Sequence, residues 1–177
     1  MRNKETIVAC ICEGNAEEAV VNILLDHDKL IFDRSQMLEE KVIRERSATT
    51  FERKYLNREF GDKKIIIYRI LDSRKEKFNL SKVYHGKIEV IDIITAPEIE
   101  MLIIHNENKF ADFKKYANKG LKPSEYCKQI LKLPNVKNKK YILSYFNDIA
   151  NLTRAIKEHK SKANIKSGEK TLADILK

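Results

Sequence analysis

The sequence predicts an α/β fold, a mainly parallel sheet flanked by helices and continued by a basic helical extension at the C-terminus. Three observations point there. Short β-branched runs alternate with stretches of helical spacing, the order of βαβ units. Two of the runs, "IVACI" and "IIIYRIL", are apolar throughout except for Arg69 in the second, as strands covered on both faces tend to be. Each run then gives way to a carboxylate, Glu13 and Asp72, at the strand ends where open α/β sheets place their sites.

The elements follow in order. Residues 6–12 read as the first strand, with Cys10 and Cys12 sharing one face as small core residues. A turn at Gly14 leads to a helix from Asn15, with Ala16, Val20, Ile23 and Leu24 at helical spacing. "KLIF" (29–32) is a candidate short strand, and the charged stretch 35–60 reads as helix. Residues 64–71 form a strongly apolar strand that ends on Asp72, and 73–86 a basic connection. Residues 87–95 alternate partially, as a third strand does, and helix returns over 97–117, entered through Pro97.

After Gly120 the character changes. "KPSEYCKQILKL" reads as a short helix and "PNVKNKK" as a basic turn. "YILSYFNDIANLTRAIKEH" reads as one amphipathic helix with Ile142, Ile149, Leu152 and Ile156 on a single face. "KSKANIKSGEK" has the composition of a mobile linker, placed at 160–170 before a last short helix over 170–177. The expected division is an α/β domain over 1–120 and a helical extension over 121–177 packed on it.

Composition narrows the functional classes. Lys and Arg outnumber Asp and Glu by 35 to 26 in 177 residues, for a net charge of +9. From residue 137 onward ten basic residues face four acidic ones. Such a balance favours a polyanionic partner, nucleic acid first. Three cysteines with no C-x-x-C pair argue against a disulfide framework or zinc knuckle and for a reducing compartment. No apolar run approaches the roughly 18 residues of a membrane span, so a soluble, cytoplasmic protein is expected. The phosphate loop G-x-x-x-x-G-K-[ST] is absent, and the four histidines form no ligand pattern. His105 reads as a core or rim residue, and His27, His85 and His159 as exposed.

The carboxylates carry the chemistry. Hard divalent ions take oxygen ligands, and phosphoryl transfer needs several carboxylates from separate elements. Glu13 is either the first solvated residue after a strand or a group held at a site. Asp72 either opens a turn or serves that site. Glu18 stands three residues after Asn15 and Glu98 three after Thr95, the spacing of capping boxes. Glu100 is not explained by capping and is followed by the apolar run Met101 to Ile104.

At this point the chain resembles a family. Strand–Glu–Gly–helix ("IVACICEGNAEE") followed by a strand closing on Asp ("IIIYRILDSR") is similar to the Toprim fold of topoisomerases, bacterial primases and related nucleases. The likeness is nearest to its RloB-like and abortive-infection branch, alongside the OLD-type nucleases. There a motif close to C-E-G-x-x-T-E is matched by Cys12, Glu13, Gly14 and Glu18, with Glu17 at the Thr position. A motif close to N-P-x-F-E is matched by Pro97 and Glu100, with an apolar run ending in His105. The D-x-D pair reads Asp72-Ser73-Arg74, a cation replacing the second carboxylate, and the motif's Asn is Ala96.

The resemblance, over about residues 6–110, implies a Toprim-like (Rossmann-like) domain and a nuclease using Mg²⁺ or Mn²⁺ in bacterial anti-phage defence. Glu13 is then a metal ligand or general base, Asp72 a metal ligand, and Glu18 and Glu100 supporting acidic groups. Arg74, Lys75 and Lys77 would hold phosphate of DNA or RNA by charge. Two alternatives stand beside it. One is a catalytically degenerate module that binds nucleic acid or a partner protein in a defence complex. The other is an interaction subunit whose C-terminal amphipathic helix docks on a partner ATPase or on a second copy.

Overall fold

Three parallel strands in the order β1-β2-β3 form the centre of the molecule. The computed structural model describes residues 6–177, so residues 1–5 of the expected domain lie outside the described residues. β1 is Thr6–Cys12, β2 is Lys64–Leu71 and β3 is Ile88–Ile94. Their register sets Cys12 beside Ile70 and Leu71 beside Ile94. The strands therefore finish almost level, and Glu13, Asp72 and the turn after Thr95 emerge at one end of the sheet.

Both faces of the sheet are covered. Strand side chains alternate between faces, and two cores result. Val8, Cys10, Cys12, Ile70 and Ile93 belong to one. Ala9, Ile11, Ile65 and Ile67 join Leu38, Ile43, Phe51, Leu56 and Phe78 in the other. On the first face lie α1 (Asn15–Asp26), α3 (Met101–Asn106), α5 (Pro123–Gln129), α6 (Lys139–Tyr145) and α7 (Ile149–Lys162), with α6 against α1 and α7 against α3. The short α2 (Ala48–Phe51) serves the second core through Phe51. The C-terminal helices share the larger core, because Phe146, Leu152, Ile156, Leu172 and Ile175 are buried in it.

Five readings are corrected. The stretch 35–60 is not one helix: it holds 3-10 turns at Arg34–Gln36 and Leu38–Glu40, an extended stretch, then α2 and a π-helical turn at Glu52–Leu56. Ile43 pairs with the outer edge of β1, donating to Cys10 O at 2.8 Å and accepting from Cys12 N at 3.1 Å. Edge pairing and burial of Met37, Leu38, Val42 and Ile43 override the helix preference of the charged residues around them.

"KLIF" is not a strand of the sheet. Its Leu30 bridges Leu176 antiparallel, and Ile31 N donates to Ile175 O at 3.0 Å. The helix over 97–117 begins only at Met101 and breaks at Asn108, whose φ of 55° ends α3 before α4 (Phe110–Ala117) starts. Asn tolerates this left-handed conformation. The single C-terminal helix is two, because Asp148 accepts from Ala150 N at 2.9 Å and caps a new start for α7.

The final short helix is a 3-10 turn at Leu172–Ile175. Ahead of it, Ile94 N donates to Lys170 O at 2.7 Å, tying the end of the linker stretch to β3. Among the described residues no helix is long and apolar enough to cross a membrane.

Candidate metal centre at the carboxyl ends of the strands

Glu13 leaves β1, Asp72 leaves β2, and Glu100 closes the turn between β3 and α3; all three line one cleft of ≈ 230 Å³. Glu17, from the first turn of α1, joins them, and Arg46 and Lys137 enter from two loops. Four carboxylates thus meet two cations at the end of a parallel sheet. Gly14 passes from strand to helix in extended backbone, with the Glu17 carboxylate folded back over it where a Cβ would stand. Glu17 thereby lines the same cleft as Glu13.

Burial sets the electrostatics. The Glu13 side chain is 9% exposed, and burial together with the hydrogen bond and charge of Glu76 pushes its carboxyl up to about 7, against the pull of Arg46. Glu76 is held below the ordinary carboxylate range by its bond to Glu13 and by Arg46. Burial likewise pushes Glu100 up to about 7, with Glu98 and Glu17 adding to the rise and Lys137 opposing it. Glu17 is raised by burial first. Carboxylates crowded out of water without enough positive charge shift in this way.

The other expected site residues lie elsewhere. Glu18 does not cap α1, whose N-cap is Gly14 without a side-chain bond. Its carboxylate is held by Arg44 at 3.2 Å and by Lys139, and those two bonds outweigh burial to lower its pKa. Glu98 does not cap either: it accepts from Ser124 N at 2.8 Å and faces Lys137 at 3.5 Å. Arg74 turns away from the cleft. Its guanidinium pairs with Glu169 at 2.6 Å and donates to Asn164 O at 3.0 Å. Lys75 and Lys77 are exposed and are not among the residues lining the cleft.

His105 is a core residue as expected, and His159 is buried rather than exposed, its ring 5.5 Å from that of His105. The apolar face of α7 is spent inside the chain, with Leu152, Ala155 and Ile156 buried, so it does not present the free docking face expected of it.

Glu76, a candidate for the second ligand that Arg74 replaces, lies against Glu13 and Arg46, whereas Arg46, Glu17 and Lys137 were missed as site residues. Arg44 and Arg46 stand two apart in "RER", which puts them on one side of an extended chain. Reading that stretch as helix hid the pair. No local signal marks Lys137, which arrives from the far end of the chain.

The donor type in the cleft suits a hard divalent cation. Every ligand-type side chain in the cleft offers oxygen, and Glu13 Oε1 is buried without a hydrogen-bond partner. Among the described residues no three acidic, histidine or cysteine side chains stand close enough together to coordinate an ion as placed. Arg46 Nη2 instead lies 3.1 Å from Glu13 Oε1. No family model, curated protein or solved structure matches the chain.

Proposed function

We propose that this protein is a divalent-metal-dependent nuclease of Toprim type, hydrolysing phosphodiester bonds. The observation that carries the reading is the convergence of Glu13, Asp72 and Glu100, from three elements far apart in sequence, in one cleft at the carboxyl ends of parallel strands. The anti-phage setting rests on the motif resemblance.

Glu13 and Asp72 would hold Mg²⁺ or Mn²⁺, with Glu17 and Glu100 as the acidic wall behind them. A bound ion would supply an activated water and offset charge on the leaving oxygen. Lys75 and Lys77, exposed just beyond Asp72, would hold the strand by its phosphates. Glu18 is a buttress in this scheme, fixing Arg44 and Lys139 beside the β1–α1 junction. Arg74 anchors the C-terminal segment instead of phosphate.

The test is cleavage of plasmid DNA, single-stranded DNA and transfer RNA with Mg²⁺ or Mn²⁺. Wild type, Glu13→Gln and Asp72→Asn are purified in parallel. Metal-dependent cutting by wild type, lost by at least about 10²-fold in both variants as for removal of a key charge-stabilising group, is the expected outcome. Equal activity in all three, or none in any, overturns the reading.

A second reading is a binding module without catalysis. The presence of Arg46 and Lys137 within the cleft and of Arg74 at the second D-x-D position favours it. It calls for salt-sensitive nucleic-acid binding that is indifferent to metal, with no cleavage.

A further inference from the structure

Two arginines reach the end of β1 from the extended segment 41–47, and they are held in different ways. Arg44 is spent on the framework. It donates to Asn15 Oδ1 at 2.8 Å and to the Glu13 backbone carbonyl at 2.9 Å, and pairs with Glu18. Arg46 is 59% exposed. Its Nη2 pairs with Glu76, while the same nitrogen lies 3.1 Å from a Glu13 Oε1 that accepts no hydrogen bond. Glu13 is therefore opposite a positive charge without being bonded through that oxygen.

Glu76 has a second cation. Arg69, 3% exposed in β2, lies 3.7 Å from its other oxygen. That arginine is fixed by Asp92 at 3.0 Å and by the Phe78 ring, 4.8 Å beneath its guanidinium. If Arg46 swings out, Glu76 keeps a buried partner and only Glu13 loses its counter-charge. An exposed arginine gives up little when its ion pair opens, because water already screens the pair. A buried carboxylate left alone has much to gain from a replacement cation.

We propose that Arg46 is an exchangeable counter-cation. Its guanidinium stands at Glu13 while the cleft lacks a divalent ion, the ion displaces it, and the freed guanidinium then takes a phosphate oxygen of the nucleic-acid strand. The inference rests on the metal reading of the cleft. It assigns Arg46 two successive anions, the Glu13 carboxylate and a phosphate, so metal and strand bind with positive coupling.

The experiment measures Mn²⁺ binding by titration calorimetry on the full chain, for wild type, Arg46→Ala, Arg46→Gln and Glu13→Gln. Thermal melts confirm folding. If the guanidinium covers Glu13 about nine-tenths of the time, its removal tightens Mn²⁺ binding about tenfold, so both Arg46 variants bind Mn²⁺ more tightly than wild type. In a second arm, fluorescence anisotropy follows a labelled single-stranded oligonucleotide with and without Mn²⁺. Mn²⁺ strengthens binding to wild type, and that gain disappears in both Arg46 variants.

Unchanged or weaker Mn²⁺ binding by both variants overturns the exchange, and if Glu13→Gln still abolishes binding the metal reading survives. Tighter Mn²⁺ binding with an undiminished oligonucleotide gain overturns the phosphate role. No Mn²⁺ binding by any protein overturns the metal reading and the exchange together.

Discussion

His105 and Glu100 show how burial decides the behaviour of a single residue. The His105 ring is 1% exposed, stacks on Phe110 at 4.9 Å and makes no hydrogen bond through either nitrogen. Burial, then the neighbouring His159 and Lys162, drives its pKa down to about 4, against the pull of Glu158 at 3.8 Å. The unfolded chain takes up this proton near the ordinary 6.5, so the folded state is penalised as pH falls from 6.5 towards 4. Glu13 and Glu100 are raised and act in the opposite sense, gaining stability as pH falls from 7 towards 4.5. Only a difference between variants isolates the histidine. His105→Leu, compared with wild type by urea unfolding, gains about 2 kcal/mol on going from pH 7 to pH 5. An equal response of both proteins to pH contradicts this. At this scale Glu13, Asp72 and Glu100 were legible because strand ends and an uncapped acid next to an apolar run are local signals. Arg46 and Lys137 were not, because a long-range ion pair leaves no trace in local spacing.

The strands were legible almost to the residue, since continuous apolar runs bounded by charge suit a parallel sheet and little else. Helical segments fared worse where pairing or capping outranked propensity. Residues 35–60 lost their helix to the edge of β1, and the C-terminal helix was cut by Asp148. Residues 163–170, between α7 and the last turn, show what one cross-chain contact does. Arg74 grips Glu169 and the Asn164 carbonyl, and Lys170 O accepts from Ile94 N. Arg74→Ala therefore speeds amide hydrogen exchange across 163–170 while lowering global stability by less than about 1 kcal/mol, as for a partly exposed ion pair. Unchanged exchange in that segment contradicts the account. Under the proposed nuclease function, the substitution leaves the salt dependence of nucleic-acid binding where it was, because Arg74 is already engaged, whereas loss of Lys75 or Lys77 lowers the slope by about one charge each.

Across the whole molecule, one core spans residues from β1 to the last turn. Phe146, 1% exposed between α6 and α7, packs with the residues of α1 and the strands in that core. Phe146→Ala costs about 3–5 kcal/mol in urea unfolding, with a single transition for the chain; a separate early transition for the C-terminal helices contradicts this. The helices after Gly120 were legible as helices packed on the domain, but their share in its single core was not, because amphipathicity says that a face is covered and not by what. That core holds α1 and α3 against the sheet, and so holds Glu17 and Glu100 beside Glu13 and Asp72. Anomalous diffraction from crystals soaked in Mn²⁺ decides whether the cleft at the strand ends takes a cation. A manganese peak bounded by Glu13 and Asp72, with the Arg46 guanidinium displaced from Glu13, is the expected result. A peak elsewhere, or none with Arg46 still on Glu13, would contradict it.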